Sequence, residues 1–358
     1  MRVLFQIWPG SRDAPAGDSI QMQMTKTYLE KLGVEVKVSS KQNLDLRDFD
    51  IIHIFNTARV SEAYGFYRNA VYQKKRIVVT PVFLDMHFYY RNKPARLAAW
   101  RAENLLRREI FQGSHMLLPN SNMELEWIRN TLMVDTRARI IYHGVEPIFF
   151  DADEKWFINK YGLSGFILCA GRLSPIKNQL SLIRAAGDLK IPIVLIGPVN
   201  NRDYAVKCAR EAQGRVKYIP PMNQKELASA YHAAGVHVQP SWFETAGLSS
   251  LEAAAAGTPV AITAWGAARE YLKDKAAYVE PDSLDSIRAG IIAALKQNTA
   301  SGKLEEIKEY IKDRFTWDKA ARDTLDAYKE VLAEDYEPES GGVFYTQTFP
   351  VSPKFYSD

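Results

Sequence analysis

Short apolar runs alternate with longer stretches of helical periodicity along this chain of 358 residues. Such alternation is typical of parallel β-strands that are joined by crossover helices. The pattern is interrupted near residues 145–163 and starts again at residues 166–170. It therefore predicts two facing, doubly wound α/β domains. The loops at the carboxyl ends of the strands in such domains are where a nucleotide ligand is expected.

The predicted organisation divides the chain at residue 150, into a first domain over 1–150 and a second over 151–315. A helix is predicted over 316–335 and is expected to pack back toward the first domain. Residues 336–358 are predicted to form a tail that is rich in aromatic residues over 343–358. This tail either docks on a domain or stays mobile. The predicted strands are 3–8, 34–38, 51–55, 77–80, 116–118 and 140–142, then 166–170, 193–196, 216–219, 236–239, 260–263 and 277–279.

The composition is that of a globular protein, with 47% hydrophobic and 25% charged residues. No segment approaches the roughly 20 apolar residues that a membrane-spanning helix needs. Residues 1–150 hold 21 basic and 15 acidic residues, so an anionic partner is expected on the first domain. Cys169 and Cys208 show no metal or redox spacing, and the amino-terminal apolar run is too short for a signal peptide. We therefore expect a cytoplasmic protein.

Two glutamates, Glu244 and Glu252, follow a predicted strand in a segment that reads as a loop, a helix and another strand. Ser249 or Ser250 is expected to begin the helix, which places Glu244 in the loop and Glu252 in the first turns, both facing one cleft. Backbone N–H groups beside Gly247 suit a diphosphate, and carboxylates suit sugar hydroxyls. The alternative is that both carboxylates only complement the helix dipole, although Glu252 lies too far along the helix for that explanation alone.

Two cations, Arg172 and Lys177, lie in the loop after the first strand of the second domain. An arginine can form two parallel hydrogen bonds to phosphate oxygens, and a lysine acts as a point charge, so the pair would stabilise a departing nucleoside diphosphate without a metal. The alternative is two solvated loop cations. Asp151 and Asp153 match the letters of a metal-binding Asp-x-Asp element, but they lie in the predicted linker and we expect no metal site there.

The glutamate pair resembles the signature of the retaining glycosyltransferases of the GT-B fold, specifically glycosyltransferase family 4, in which two glutamates flank seven residues. Glu244 and Glu252 have that spacing. The loop with Arg172 and Lys177 resembles the donor-phosphate motif of the same family. Shorter matches, such as His143-Gly144-Val145-Glu146, extend the resemblance from residue 1 to about residue 333.

The resemblance implies a metal-independent, retaining transfer of a hexosyl group from a UDP- or GDP-sugar to a hydroxyl, with no cofactor. The donor would bind the second, Rossmann-like domain and the acceptor the first. Glu244 would contact the donor sugar near its anomeric centre and Glu252 the ribose hydroxyls, while the leaving phosphate helps to deprotonate the acceptor. The implied catalytic residues are Glu244, Arg172 and Lys177, and the implied donor-binding residues are Glu252, Gly247, Leu248, Ser249, Gly17 and Asp18.

The sequence departs from the family pattern at two places in the first domain. The loop over residues 9–18 lacks the frequent Gly-Gly pair, so Gly17 and Asp18 either approach the donor diphosphate or only shape and cap the next helix. After the strand at residues 77–80, many members carry Thr-x-His, with the histidine beside the donor sugar. Here Asp85 or His87 takes that place, or the two have an ordinary loop function.

Residues 91–108 carry six basic residues and one acidic residue around Trp100. Such a helix either lies on an anionic membrane surface, near a glycan or lipid-linked acceptor, or is an ordinary solvated helix. Nucleic acid is not expected as a partner, because the chain is not strongly basic and has no reading module. The rival function is a non-catalytic two-domain protein that binds a sugar or nucleotide. A Gly-x-Gly-x-x-Gly oxidoreductase motif is absent.

Overall fold

The computed structural model describes residues 1–10, 17–297 and 302–334. These residues form two compact units. The first contains Met1–His143 together with the final helix from Trp317, and the second contains Gly144–Thr316. The division after His143 falls earlier in the chain than the predicted boundary at residue 150. The aromatic tail lies outside the described residues.

The first unit contains a parallel sheet of five strands in the order β2-β1-β3-β4-β5. The predicted strand over 140–142 is wrong. Residues 137–141 run beside β5 through an isolated bridge between Leu117 and Ala138 and through backbone hydrogen bonds with Leu117 and Pro119, but they form no strand. The elements are β1 Arg2–Gln6, α1 Gly17–Lys31, β2 Glu35–Ser39, β3 Ile51–Phe55, α2 Val60–Tyr72, β4 Arg76–Thr80, α3 Pro94–Gln112, β5 Met116–Leu117 and α4 Asn122–Leu132.

The second unit contains a parallel sheet of six strands in the order β11-β10-β9-β6-β7-β8. Its strands are β6 Phe166–Ala170, β7 Ile193–Ile196, β8 Val216–Ile219, β9 Ala234–Gln239, β10 Val260–Thr263 and β11 Ala277–Val279. Its helices are α5 Ile148–Asp151, α6 Lys155–Tyr161, α7 Gln179–Ala185, α8 Arg202–Ala212, α9 Gln224–Ala233, α10 Leu248–Ala255, α11 Ala268–Leu272, α12 Leu284–Gln297 and α13 Lys303–Arg314.

The strand order of the second sheet reverses between β6 and β9. From β6 the chain adds β7 and β8 on one side, and then returns to place β9 on the other side of β6. At such a switch point the loops leaving two neighbouring strands turn in opposite directions and open a crevice at their carboxyl ends. Both strands are fully buried, as expected for a sheet covered on both faces.

The final helix, α14 Trp317–Ala333, packs against α1 of the first unit. Its Tyr328 hydroxyl lies 2.6 Å from His53 Nδ1, and the other ring nitrogen lies 2.9 Å from Thr80 Oγ1. Burial lowers the pKa of His53 to about 3, so the ring is neutral near pH 7. This buried contact fixes the end of the described chain on the first sheet.

Candidate functional site

The loops that follow β6 and β9 are tied to each other at the switch point of the second sheet. Trp242 N donates a hydrogen bond to Ile176 O at 2.9 Å. The Asn178 side-chain amide donates to Pro240 O at 3.0 Å and to Pro281 O at 2.7 Å. Two segments that are far apart in sequence therefore form one surface at the carboxyl ends of the strands.

Glu244 lies at the centre of this surface and is held by one carboxylate oxygen. Lys177 Nζ and Ser241 Oγ each lie 2.6 Å from Glu244 Oε1, and Gln239 Nε2 lies 3.2 Å from the same atom. None of the described residues donates a hydrogen bond to Oε2. The Glu244 side chain is 9% exposed and that of Lys177 20%, so the ion pair is largely buried but has access to solvent. The structure thus brings together two residues that the sequence placed in separate motifs.

A third loop, after β10, fixes the backbone of Glu244. Glu244 N donates to Trp265 O at 3.1 Å, and Ala267 N donates to Glu244 O at 3.0 Å. Gly266 between them has φ +100°, and a Cβ atom there would lie 2.1 Å from Glu244 O. Glycine is required at this position because its backbone conformation and close approach exclude a side chain.

Helix α10 begins at Leu248, with Gly247 as its N-cap at φ +69°. The expectation that Ser249 or Ser250 begins the helix is wrong, because the left-handed glycine starts the helix without a side-chain cap. Ser250 N donates to Gly247 O at 2.8 Å. The N–H groups of Leu248 and Ser249 have no acceptor among the described residues, as expected for the first turn of a helix.

Glu252 belongs to a separate buried pair. The Tyr231 hydroxyl donates to Glu252 Oε2 at 3.1 Å, and Glu252 shares no hydrogen-bond partner with Glu244. Burial raises the pKa of Glu252 to about 8, the Tyr231 hydrogen bond opposes that rise, and the charge of Glu146 adds to it. The carboxyl group is therefore mostly protonated at neutral pH and can donate as well as accept a hydrogen bond.

Arg172 is the exposed cation of the site. Its guanidinium forms no ion pair or hydrogen bond with any residue in the described part of the chain, whereas its backbone oxygen accepts a hydrogen bond from Gln179 Nε2 at 2.9 Å. The loop leaves β6 where the ends of β6 and β7 nearly touch, and a Cβ atom on Gly197 would lie 2.2 Å from Gly171 O. Arg172 is thus a charged side chain available to an anionic ligand.

The first-domain candidates occupy other surroundings. Gly17 is the first residue of α1. Residues 11–16 and the side chain of Asp18 lie outside the described residues. Asp85 accepts hydrogen bonds from His87 N at 2.9 Å and from Thr131 Oγ1 at 3.3 Å, and His87 Nδ1 lies 2.7 Å from Asp85 Oδ1.

The histidine ring packs edge-on against Trp100 and lines a groove of about 270 Å³ between α3 and the end of α4. Exposed Arg101 and Arg108 also line this groove. Asp85 and His87 therefore form a local network with α3 and α4. No described contact assigns either residue to a donor sugar.

One basic residue of segment 91–108 is a structural residue. Arg107 is buried, donates to Thr57 O at 3.0 Å and to Asn104 Oδ1 at 2.8 Å, and pairs with Glu103 at 2.5 Å. The expectation of a solvated or membrane-facing basic helix is therefore wrong for Arg107, because separating a buried charge from these partners costs a large free energy. In the described part of the chain no helix has the length and apolarity to cross a membrane.

Gln239 and Ser241 were not among the predicted site residues. Both are fully buried and hydrogen-bonded to Glu244. Polar residues at and just after the end of β9, five and three positions before a candidate catalytic glutamate, were the available signal. Among the described residues, no three His, Cys, Asp or Glu side chains are grouped so as to hold a metal ion.

Comparisons with known proteins agree with this architecture. Residues 151–314 match the family model "Glycosyl transferases group 1". A D-inositol 3-phosphate glycosyltransferase from Nocardioides sp. is 28% identical over 63% of this chain and 56% of its own length. The chain spans about half to two thirds of the length of such curated relatives.

Two solved structures share the fold over almost the whole chain. Sucrose-phosphate synthase from Thermosynechococcus elongatus has a TM-score of 0.79 at 17% identity, covering 93% of this chain and 99% of the other. Anabaena Alr3699/HepE in complex with UDP-glucose has a TM-score of 0.74 at 16% identity, covering 92% and 100%. The predicted fold class is confirmed: the chain has the two-domain Rossmann-like architecture of the GT-B glycosyltransferases, and residues 151–314 match the glycosyl transferases of group 1.

Proposed function

We propose that this protein is a retaining glycosyltransferase that moves a hexosyl group from a UDP- or GDP-sugar to a hydroxyl group. The observation that carries this proposal is Glu244, a nearly buried carboxylate whose three donors all reach Oε1, at the switch point of an open sheet. Lys177 pairs with it, and Arg172, which has no side-chain partner among the described residues, lies in the same loop as Lys177. A carboxylate that can contact a sugar thus lies in the same site as cations that can contact phosphates.

The phosphates would be bound by side chains and helix N–H groups together. Arg172 can form two parallel hydrogen bonds to phosphate oxygens, and Lys177 supplies a second charge. The N–H groups of Leu248 and Ser249, which have no acceptor in the described part of the chain, add donors beside Gly247. In this proposal these groups stabilise the charge of the departing nucleoside diphosphate, a function that a divalent metal serves in other enzymes.

The reaction would proceed on one face of the sugar. The bond between the anomeric carbon and the donor phosphate breaks, and a bond to the acceptor oxygen forms on the same face. The acceptor proton passes to the departing phosphate oxygen. Glu244 would position the sugar and stabilise positive charge that develops at the anomeric carbon, and Glu252 would hydrogen-bond the ribose. The structure of Anabaena Alr3699/HepE with UDP-glucose supports this class of donor.

A panel of sugar nucleotides tests the function. UDP-glucose, UDP-galactose, UDP-N-acetylglucosamine and GDP-mannose are incubated with the protein, and free UDP or GDP is measured. Release with one donor, lost in Glu244→Gln, is the expected result. Binding of UDP or GDP without release from any donor, including in the presence of simple hydroxyl acceptors, would favour the non-catalytic binding protein.

The acceptor is proposed to be a glycan or a lipid-linked glycan, as in the synthesis of surface polysaccharides or glycolipids. Membrane contact would use the exposed side of α3 and the end of α4. There Leu105 and Met133 are 70% and 72% exposed, beside Arg101 and Arg108. Apolar side chains flanked by arginines suit an anionic membrane surface.

Vesicles test this membrane contact. Binding to phosphatidylglycerol vesicles is expected to fall in Arg101→Gln/Arg108→Gln. Arg47→Gln removes another exposed charge of the first unit and serves as the matched control. Equal binding of the wild-type protein to neutral and anionic vesicles would exclude this surface as an electrostatic membrane site.

A further inference from the structure

Glu244 has an uneven set of hydrogen-bond donors. Its Oε1 faces Lys177 and Ser241, each at 2.6 Å, and Gln239 at 3.2 Å. A carboxylate oxygen has two lone pairs, so three donors saturate it. Its Oε2 receives no hydrogen bond from the described residues. The carboxylate is therefore held from one side, and the other side is open to a ligand.

Two of the three donors form a buried unit of their own. Gln239 Nε2 donates to Ser241 Oγ at 2.8 Å, and Ser241 Oγ in turn donates to Glu244 Oε1. Both side chains are completely buried. A buried donor that is already bonded to its neighbour cannot turn toward an incoming ligand, so this unit serves Glu244 alone.

The thiol of Cys169 contacts the side-chain amide of Gln239 and fixes its orientation. Cys169 Sγ lies 3.7 Å from Gln239 Oε1, and burial raises the pKa of the thiol to about 12. The thiol therefore keeps its proton near neutral pH and can donate it to the amide oxygen. Because the amide oxygen is occupied in this way, the NH₂ group is directed at Ser241 and Glu244.

Lys177 differs from these two donors. Its side chain is 20% exposed, and it lies in the same loop as Arg172. A lysine ammonium has three protons and a flexible stem, so it can contact a phosphate oxygen and can loosen its bond to Glu244 when it does so. A carboxylate held by Lys177 alone would then lose its position at the moment when the donor binds.

We propose that Gln239 and Ser241 are positioning residues that hold Glu244 in place while Lys177 engages the donor phosphates, and that Glu244 Oε2 is the oxygen that meets the donor sugar. This inference rests on the proposed function and goes beyond it. In this proposal Gln239 and Ser241 hold the carboxylate and Lys177 binds the phosphate. Without them, Lys177 would have to do both.

The test compares Ser241→Ala with Lys177→Ala in kcat, in donor KM and in the calorimetric affinity for UDP and GDP. Ser241→Ala is expected to lower kcat about tenfold or more, because a misplaced catalytic group slows the chemical step, and to leave nucleotide affinity within about twofold. Lys177→Ala is expected to weaken nucleotide affinity as well. Ser241→Thr keeps the hydroxyl and is expected to restore most of kcat.

Ser250→Ala is the matched control, because Ser250 is also fully buried but its hydroxyl has no partner among the described residues. Its kcat is expected to equal that of the wild type.

If Ser241→Ala does not fold, Gln239→Leu repeats the test from the other end of the unit. Wild-type kcat in a folded Ser241→Ala protein, or a loss of nucleotide affinity equal to that of Lys177→Ala, would overturn the inference alone. Absence of turnover in the wild-type protein with the whole panel would instead overturn the proposed function and this inference with it.

Discussion

Two buried glutamates, one in each unit, follow strands of similar parallel sheets but are bonded in different ways. One carboxylate oxygen of Glu124, in the first unit, accepts a hydrogen bond from Phe83 N at 2.7 Å, and the other accepts one from Asn120 N at 2.6 Å. Glu244 of the second unit accepts all three donors on one oxygen, and all three come from side chains. The first carboxylate joins two backbone loops and has no free side, whereas the second is held with one oxygen left open. The distribution of donors, rather than burial, thus distinguishes a structural carboxylate from a candidate catalytic one.

The largest expected effect follows from replacing the open carboxylate. Glu244→Gln should lower turnover by about 10²-fold or more, because the negative charge would act mostly in the transition state. The melting temperature should change little. Turnover is measured as nucleotide release with the donor that the panel identifies. A folded Glu244→Gln protein with wild-type turnover would contradict the assignment of Glu244.

The converse result is expected for the closed carboxylate. Glu124→Gln places an NH₂ group against a backbone N–H, and should lower the free energy of unfolding by about 1.5–3 kcal/mol, the range for a hydrogen bond to a charged group. Turnover of the folded protein should stay near the wild-type value. Urea unfolding and nucleotide release measure the two quantities. A large loss of kcat with little loss of stability in Glu124→Gln would contradict the assignment of Glu124 as a structural carboxylate.

A smaller effect is expected for the cations beside Glu244. Arg172→Ala and Lys177→Ala should each weaken the affinity for UDP or GDP about tenfold, equivalent to about 1.4 kcal/mol, because each removes a charge proposed to contact phosphate. Arg184→Ala removes an exposed arginine of the same unit that pairs with Glu211, and is the matched control. Calorimetric titration measures the affinities.

EDTA should leave turnover largely intact, and a complete loss of turnover that added metal reverses would contradict metal independence.

The last expected effect depends on pH and concerns Glu252, a third buried carboxylate with one donor among the described residues. Burial raises its pKa from 4.5 to about 8 in the folded protein. Between these values the folded protein keeps a proton that the unfolded chain releases, so the stability that this group contributes is complete below pH 4.5 and is lost as pH rises toward 8. The slope is at most about 1.4 kcal/mol per pH unit.

Urea unfolding of the wild type and of Glu252→Gln between pH 5 and pH 9 measures this contribution. The variant should show a flatter dependence on pH and weaker binding of UDP or GDP. If the two proteins give parallel curves of unfolding free energy against pH, Glu252 does not titrate in this range. The raised pKa would then not set Glu252 apart from Glu124 and Glu244.

Much of the fold was predictable because it depends on local patterns. The apolar run at residues 166–170 became β6, and Gly257 follows α10 at φ +76°, where a glycine ends a helix. The strand predicted over 140–142 did not form, because a short apolar run can satisfy its burial as an irregular segment beside a strand. The start of α10 was misplaced because Gly247 replaces the expected serine cap.

The buried position of Arg107 shows the limit of sequence patterns. In the sequence it is one of six basic residues around Trp100, and its charge favours an exposed surface. In the structure its guanidinium is buried and bonded to backbone oxygens of the segment before α2, as well as to Glu103. The first contact joins residues that are far apart in the chain, so no local pattern could predict it.

The sequence by itself determined the two doubly wound sheets, the loops at the ends of β6 and β9, and the residue types that those loops present. Hydrophobic periodicity and turn residues act over a few positions, and they are written in the chain. Only the tertiary structure decided which atoms meet. The strand order places β9 beside β6, and this neighbourhood brings Lys177 to Glu244 across 67 positions of the chain. It also directs Gln239 and Ser241 onto the same carboxylate oxygen, because hydrogen-bond geometry depends on the packing of side chains at the strand ends.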